Sequence, residues 1–162
     1  MSRLDSFIRR LEAQRDCLAL AARLIADVPG PVLELGLGNG RTFDHLRSLM
    51  PDREIFVFDR RVAAHPDCIP DADHMILGDV HTTLPNALTR IRVKAALAHC
   101  DVGTGVRSDN RALAQFLGPT LTALMARGGM VVSDQQLDVP GWTPVELPPG
   151  IEPGRYFINR VG

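Results

Sequence analysis

Three glycines at alternate positions, Gly36, Gly38 and Gly40, follow directly on a short apolar segment. Alternate glycines give a loop without β-carbons, which can turn with positive φ and lets a ligand lie directly on the backbone. Asp59 ends the next apolar segment, which begins at residue 54. A carboxylate at that place can accept hydrogen bonds from both vicinal hydroxyl groups of a ribose. The spacing therefore predicts a site for a ligand that carries a nucleoside.

Two known nucleotide-binding patterns do not fit this loop. The dinucleotide pattern G-x-G-x-x-G would need glycine at position 41, where the chain has Arg41. The Walker pattern would need Gly-Lys-Ser/Thr after the glycines, and Lys94 is the only lysine in the sequence. A nicotinamide or flavin dinucleotide is therefore disfavoured as the ligand.

The spacing of apolar residues changes repeatedly between the helical and the strand period, so we expect helices and strands to alternate along the chain. This alternation would position the residues named above. The predicted helices comprise residues 3–26 (bent, or divided near Gln14), 41–49, 80–92 and 107–127 (interrupted or bent at Gly118-Pro119). The predicted strands comprise residues 32–35, 54–59, 74–77, 95–100 and 130–133. This order indicates right-handed crossovers and an α/β fold with a doubly wound, Rossmann-like, mostly parallel sheet. Ligands of such sheets bind beyond the carboxyl ends of the strands.

The tail of the chain follows a different pattern. Residues 143–147 and 155–159 are separated by Pro148-Pro149-Gly150, a connection too short for a helical crossover. We therefore expect an antiparallel hairpin at the edge of the sheet, with Tyr156 packed there.

Composition limits the class of protein and its partners. The 162 residues suffice for one domain with one substantial core, and we expect a single domain over residues 1–162, with residues 1–28 as an N-terminal helical cap. Hydrophobic residues make up 45% and charged residues 23%, as in ordinary globular proteins. The formal net charge of −1 provides no positive field for nucleic acid or anionic lipid, so we expect neither partner.

The cysteines and the N-terminus indicate a cytoplasmic protein. Cys17, Cys68 and Cys100 are odd in number and widely spaced, which argues against both a disulfide framework and a zinc site. The N-terminal apolar run is short and interrupted by Arg23, so it predicts an amphipathic helix and neither a signal peptide nor a membrane span.

Over residues 30–160 the chain resembles the class I S-adenosylmethionine-dependent methyltransferases. Their first motif, an acid followed by alternating glycines, is matched by residues 34–40. Their second motif, an acid at the end of the next strand, is matched by Asp59, and their third by residues 78–80. The antiparallel last strand of that family matches the tail. The resemblance implies that the cofactor is S-adenosyl-L-methionine.

The resemblance also implies which residues contact the cofactor. Glu34 and the glycine loop would face its amino acid end, and Asp59 its ribose. Asp79 and Val80 would lie at the adenine edge. For Asp79 a cap of the following helix is the alternative interpretation, since Gly-Asp before a helix is common for that reason. The full predicted set is Glu34, Gly36, Leu37, Gly38, Asn39, Gly40, Asp59, Arg60, Gly78, Asp79, Val80 and Asp101.

Methyl transfer from a sulfonium depends mainly on alignment of donor and acceptor, and a general base serves only some nucleophiles. Asp101, at the end of the fourth strand, and His99, within it, are the candidate catalytic residues. For His99 the alternative is a hydrogen-bonded core histidine, because its strand is apolar. Arg107 and Asp109 are candidate substrate contacts, although helix-end electrostatics explains Asp109 equally well.

A metal site is a further alternative. Asp101, Asp134 and Gln135 loosely resemble the acids and amide that hold magnesium in the catechol O-methyltransferase-like branch, and oxygen ligands suit such a hard cation. Gln135 departs from the asparagine of that pattern. We therefore expect no metal and interpret these acids as solvated residues at strand ends.

The sequence thus predicts methyl transfer from S-adenosylmethionine to an unidentified small molecule. A non-catalytic cofactor-binding module or subunit and a nicotinamide-dependent reductase are the alternatives, and Arg41 disfavours the reductase. Only the N-terminal helix and the loops 60–73 and 102–110 are available to cover an acceptor. We therefore expect a homo-oligomer in which the N-terminal helix of a neighbour closes the pocket. The sequence identifies neither the acceptor nor the atom that is methylated.

Overall fold

The computed structural model describes residues 2–103 and 106–162. The strands are β1 (Val32–Leu35), β2 (Ile55–Asp59), β3 (Met75–Leu77), β4 (Ala95–Cys100), β5 (Met125–Ser133), β6 (Thr143–Pro144) and β7 (Phe157–Arg160). The helices are α1 (Arg3–Leu24), α2 (Arg41–Leu49), α3 (Val80–Thr83), α4 (Leu88–Ile91) and α5 (Arg107–Leu124), with 3₁₀ turns at Pro66–Cys68 and Leu84–Asn86.

The strands form one sheet in the order β3-β2-β1-β4-β5-β7-β6. The first five strands in this order are parallel to one another, and β7 runs antiparallel between β5 and β6. The predicted α/β fold with its antiparallel C-terminal strands is confirmed. The carboxyl ends of β1, β2 and β4 therefore meet at one edge, where the glycine loop leaves the sheet.

A hydrophobic core lies on each face of the sheet, because side chains alternate along the strands. One core contains Val32 of β1 with residues of α1 and α2, and the other contains Leu33 with residues of α4 and α5. Glu34 follows the same alternation and points to the α1 face, where it is fully buried. The fold thus places one acidic side chain in an apolar layer.

Helix α1 is continuous, which decides between the two predicted alternatives. It begins with a capping box, in which the Ser2 hydroxyl accepts from the Asp5 N–H at 3.0 Å and the Asp5 carboxylate accepts from the Ser2 N–H at 2.9 Å. The apolar spacing changes phase near Gln14 because that polar side chain occupies a buried position on the helix. The apparent break in the sequence pattern is therefore a polar residue that faces the sheet.

Two predicted helices have different bounds in the structure. The segment 80–92 is α3, a 3₁₀ turn and α4, because Pro85 has no backbone N–H for a continuous helix, and Arg92 ends α4 with φ 63°. The segment 107–127 stops being helical at Leu124. Met125 is buried and pairs with Ala95, so β5 begins five residues before its predicted start. In both places the prediction was wrong because backbone pairing and proline chemistry override helical spacing.

Among the described residues, no helix combines the length and apolarity needed to cross a membrane.

Candidate active site

The glycine loop leaves β1 with three left-handed residues, since φ is 92° at Gly36, 52° at Gly38 and 84° at Gly40. A β-carbon at Gly36 would lie 2.7 Å from the carbonyl oxygen of Asp101, and one at Gly40 would lie 2.5 Å from the β-carbon of Cys68. A β-carbon at Gly38 would meet nothing within 4 Å. Two of the glycines are therefore required by packing, and the third leaves bare backbone open to a ligand.

Asp59 holds this loop from the end of β2. Its Oδ2 accepts hydrogen bonds from the backbone N–H groups of Leu37 at 2.8 Å and Gly38 at 3.2 Å. Its Oδ1 accepts only from the N–H of Arg61, at 3.2 Å, among the residues described. Because a carboxylate has about four acceptor positions, Asp59 keeps capacity for a ligand after it has bound the loop.

Glu34 lies in β1, two residues before the first glycine of the loop, and has no exposed surface. Its Oε1 accepts from the Thr42 hydroxyl, and its Oε2 lies 2.7 Å from Nδ1 of His99. Both carboxylate oxygens thus bind other side chains. The predicted contact of Glu34 with a cofactor stays a prediction, and the observed contacts of Glu34 connect β1 to the start of α2 and to β4.

His99 is equally buried, and its Nε2 lies 2.8 Å from the Tyr156 hydroxyl. Burial by itself lowers the pKa of His99, but the Glu34 carboxylate more than offsets this, and the pKa lies above its ordinary value of 6.5. Burial also raises the pKa of Tyr156. With both ring nitrogens engaged and no exposed surface, His99 is placed as a core histidine.

A cavity of about 590 Å³ lies beside the loop, and we call it the loop cavity. Its volume falls within the range of small-molecule sites. Seven residues of the predicted cofactor set line it: Gly36, Gly38, Asp59, Arg60, Gly78, Val80 and Asp101. A recess of about 200 Å³ adjoins it beneath α1 and brings in two more of the set, Leu37 and Asn39.

Asp79 adopts the alternative role that the sequence allowed. Its Oδ1 accepts from the N–H of His81 at 2.9 Å and so caps α3. Its Oδ2 accepts from Arg60 at 2.8 Å. The hydrogen bond from the His81 backbone, more than any other contact, holds the pKa of Asp79 below its ordinary value. Its contact with adenine stays a prediction.

A second cavity, of about 650 Å³, lies between α1 and the segment before β7, and we call it the α1 cavity. Gly103 lines both cavities. A β-carbon at Gly103 would lie 2.6 Å from Oδ2 of Asp134 and 2.8 Å from Nε2 of Gln135. The loop after β4 therefore comes close to the end of β5 at the junction of the two cavities.

Asp101 and Asp134 share one arginine at this junction. Asp101 accepts from Arg10 and, at 2.6 Å, from Nε2 of Gln14. Oδ2 of Asp134 lies 4.0 Å from the same Arg10 guanidinium. Burial, and then the nearby Asp101, raise the pKa of Asp134. The guanidinium supplies positive charge where the metal alternative would need an ion, and the described residues include no group of three His, Cys, Asp or Glu side chains that could hold one.

Sequence reasoning missed the contribution of α1. Arg10 and Gln14 reach the end of β4, and the only sequence signal for either was the phase change at Gln14. Tyr156 was expected to pack at the sheet edge, whereas it binds His99 inside the sheet. Asp109 lines the loop cavity, and the side chain of Arg107 lies outside the part that the structure describes.

Comparison with known proteins agrees with this geometry. The family model described as S-adenosyl-L-methionine methyltransferase matches residues 1–161. The chain is similar to the crystal structure of an S-adenosyl-L-methionine methyl transferase from Silicibacter pomeroyi DSS-3, with 46% identity, a TM-score of 0.93 and coverage of 100% of this chain and 99% of that one. No curated protein matches.

More distant structures share the fold alone. A putative caffeoyl-CoA O-methyltransferase from Staphylococcus aureus is 15% identical, with a TM-score of 0.61 over 90% of this chain and 82% of that one. A Podospora anserina methyltransferase with bound SAH is also 15% identical, with a TM-score of 0.61 over 100% of this chain and 80% of that one. The family match over residues 1–161 and the crystal structure that is 46% identical show that the chain belongs to the S-adenosyl-L-methionine methyltransferase family.

Proposed function

We propose that this methyltransferase modifies a small molecule that binds in the α1 cavity. The observation that carries the proposal is that the α1 cavity and the loop cavity share Gly103, so that ligands in the two would approach each other there. Both volumes suit small molecules. The net charge of −1 supports the expectation that nucleic acid is not the substrate.

The cofactor site in this proposal uses the residues of the loop cavity. S-adenosylmethionine supplies an electrophilic methyl group on a positively charged sulfur. Asp59 accepts hydrogen bonds from the ribose, and the open backbone at Gly38 lies against the ligand. Residues 78 and 80 flank the base, and the recess that Leu37 and Asn39 line holds the amino acid end.

Asp101 and His99 have different roles in the proposed reaction. Asp101 lies on the wall of the loop cavity, where Arg10 and Gln14 fix its carboxylate so that it orients the reacting ends. His99 is a positioning residue, because Glu34 connects it to Thr42 at the start of α2, directly after the loop. The role of the chain in the proposed transfer is to hold the nucleophile of the acceptor in line with the methyl group that bound S-adenosylmethionine would supply. Alignment of this kind can supply much of the acceleration.

Self-association through α1 is part of the proposal. Leu4, Phe7 and Ile8 are 66%, 50% and 44% exposed on the N-terminal half of α1, next to the α1 cavity. A second copy that covers them would also close the cavity, with residues 1–28 as its cap. Light scattering at high protein concentration should detect a dimer or larger species that Leu4→Glu weakens. Val93→Glu, which changes another apolar residue 56% exposed, is the control. A monomer at all concentrations would contradict this part.

A cytoplasmic location completes the proposal. The three cysteines are free thiols, two of them buried, as expected of a protein that remains in a reducing compartment.

The test of function separates cofactor binding from turnover. Calorimetry should show binding of S-adenosylmethionine, and a panel of small acceptors should release S-adenosylhomocysteine when the right one is present. Asp59→Ala should weaken cofactor binding about ten- to hundredfold and lower turnover at cofactor concentrations that only just saturate the wild type. Turnover on RNA or protein, with none on small molecules, would overturn the proposed acceptor class. Cofactor binding without turnover on any class would favour the non-catalytic module.

A further inference from the structure

The guanidinium of Arg155 on the wall of the α1 cavity has few partners. Its side chain is 21% exposed, and its Nε is buried without a hydrogen-bond partner among the described residues. Its Nη1 lies 3.4 Å from the carbonyl oxygen of Ser6, and its Nη2 lies 3.5 Å from Glu152, so both contacts are long. A largely buried arginine with unused donors calls for an explanation, since such groups are normally satisfied.

The acid beside Arg155 is already paired with another residue. Oε1 of Glu152 accepts from Arg9 at 2.9 Å, a shorter contact than the 3.5 Å to Arg155. The Arg10 guanidinium, also on the cavity wall, binds Asp101 and faces Asp134. The acids near the α1 cavity thus have closer cations than Arg155, whose ion pair with Oε2 of Glu152 is long and shares that carboxylate with Arg9.

Arg3 adds a second cation to the same cavity. It lies in the first turn of α1, is exposed, and makes no hydrogen bond or ion pair with a described residue. A positive charge at a helix N-terminus opposes the helix dipole, so helix stability does not explain Arg3. Two arginines with free donors therefore border one cavity.

We infer that the α1 cavity takes an acceptor with an oxyanion, a carboxylate or a phosphate, held by Arg155 and Arg3. The inference rests on the proposed function and specifies the acceptor class. The planar fork of a guanidinium matches two oxygens of either group, and charge-assisted hydrogen bonds of this kind are about twice as strong as those between neutral groups. The anion end lies against the 152–155 segment, which leaves the opposite end of the molecule at Gly103 for methylation.

The test uses simple anions because the acceptor is unidentified. Isotope-labelled full-length protein, with S-adenosylhomocysteine added, is titrated with inorganic phosphate, acetate and neutral acetamide, and backbone amide shifts are followed by NMR. Saturable shifts should occur at residues 152–156 with at least one anion and not with acetamide. The anion that binds more tightly indicates whether the anionic group of the acceptor is a phosphate or a carboxylate.

Variants assign the binding to the two arginines. Arg155→Gln should weaken anion binding about tenfold or more. Arg155→Lys, which keeps the charge and loses the fork, should give an intermediate loss and guards against a folding defect. Arg3→Gln should weaken binding, whereas Arg23→Gln, an exposed arginine on the same helix, should not.

Two outcomes would overturn the inference: no saturable shift with either anion, or unchanged anion affinity in Arg155→Gln. Calorimetry of S-adenosylmethionine with the same samples reports on the proposed function separately. If the protein binds an anion but not S-adenosylmethionine, the proposed function is contradicted. If it binds S-adenosylmethionine but no anion, only the inferred acceptor class is contradicted.

Discussion

The loop cavity and the α1 cavity adjoin each other but are built in different ways. The loop cavity is lined mostly by the glycine loop and by residues that directly follow the parallel strands, and Asp59 at the end of β2 is the acid that holds the loop. The α1 cavity is bordered by charged side chains as distant in sequence as Arg3 and Arg155. Backbone and acids at strand ends suit the constant parts of a cofactor, whereas charged side chains from distant segments suit one particular acceptor. The fold thus accounts for the proposed cofactor site, and the side chains particular to this sequence account for the proposed acceptor site.

A buried chain of hydrogen bonds connects the supports of the two cavities. It runs from Thr42 through Glu34, His99 and Tyr156, and Gln14 contacts both Tyr156 and Asp101. The two cavities therefore differ in their lining residues but are both supported by this buried chain, which we call the shared foundation (Gln14, Glu34, Thr42, His99 and Tyr156). Substitutions in the shared foundation should affect both cavities, whereas substitutions in the lining of one cavity should affect that cavity alone.

The largest effect is expected from Glu34→Ala at the shared foundation. The substitution leaves His99 buried without the carboxylate that raises its pKa, and it removes the partner of Thr42. Breaking a buried ion pair costs about 3–5 kcal/mol in the free energy of unfolding, which urea denaturation measures. Glu54→Ala, which removes an exposed carboxylate from His74, should cost less than about 1 kcal/mol. Equal losses in the two variants would show that the buried chain does not support the cavities.

Among substitutions that should affect only one cavity, Asp59→Asn is expected to have the largest effect. It weakens the bonds to the N–H groups of Leu37 and Gly38 and removes the charge available to ribose hydroxyls. The dissociation constant for S-adenosylmethionine should rise about ten- to hundredfold by calorimetry. Phosphate binding in the α1 cavity should not change. Asp52→Asn, an exposed acid elsewhere, is the control, and a parallel loss of both ligands would mean that the cavities are not separable.

The same difference explains what the sequence could predict. The glycine loop and Asp59 were predictable because strand ends and glycines are local signals, and parallel strands bring their carboxyl ends together. Arg3 and Arg155 were not, since their proximity depends on how α1 and the segment before β7 pack across the sheet. Helical spacing shows which face of α1 is buried but not which strand end its first turns reach.

Local chemistry also limited the prediction of elements. Pro85 stands within an apolar spacing that favours one helix, and only the missing N–H divides it into α3 and α4. Glu34 was predicted to face the cofactor because it precedes the glycines. Its position on the buried face of β1 follows from side-chain alternation, but its partner His99 lies in another strand, and their pairing depends on the register of β1 with β4.

A smaller effect concerns the pH dependence of the shared foundation. The pKa of His99 in the folded state is above 6.5, so its contribution to stability is fully present below about 6.5 and is lost as the pH rises through the folded value. Glu34, Tyr156, Asp101 and Asp134 are the titratable groups around it. The ring nitrogen shifts of His99 by NMR should titrate above 6.5, and the free energy of unfolding should fall over the same range. A midpoint below 6.5 would contradict the buried ion pair.

The smallest effect is expected from Arg60→Gln at the rim of the loop cavity. The Arg60–Asp79 pair has a 2.8 Å contact, but the two side chains are 74% and 44% exposed. Such surface pairs contribute about 0–1 kcal/mol, so the affinity for S-adenosylmethionine should change less than about fivefold by calorimetry. The neighbouring Arg61→Gln is the matched control. A loss of tenfold or more in Arg60→Gln alone would mean that an exposed side chain at the rim also specifies the ligand of the loop cavity, and the contrast between a cavity of strand-end residues and one bordered by distant charged side chains would no longer hold.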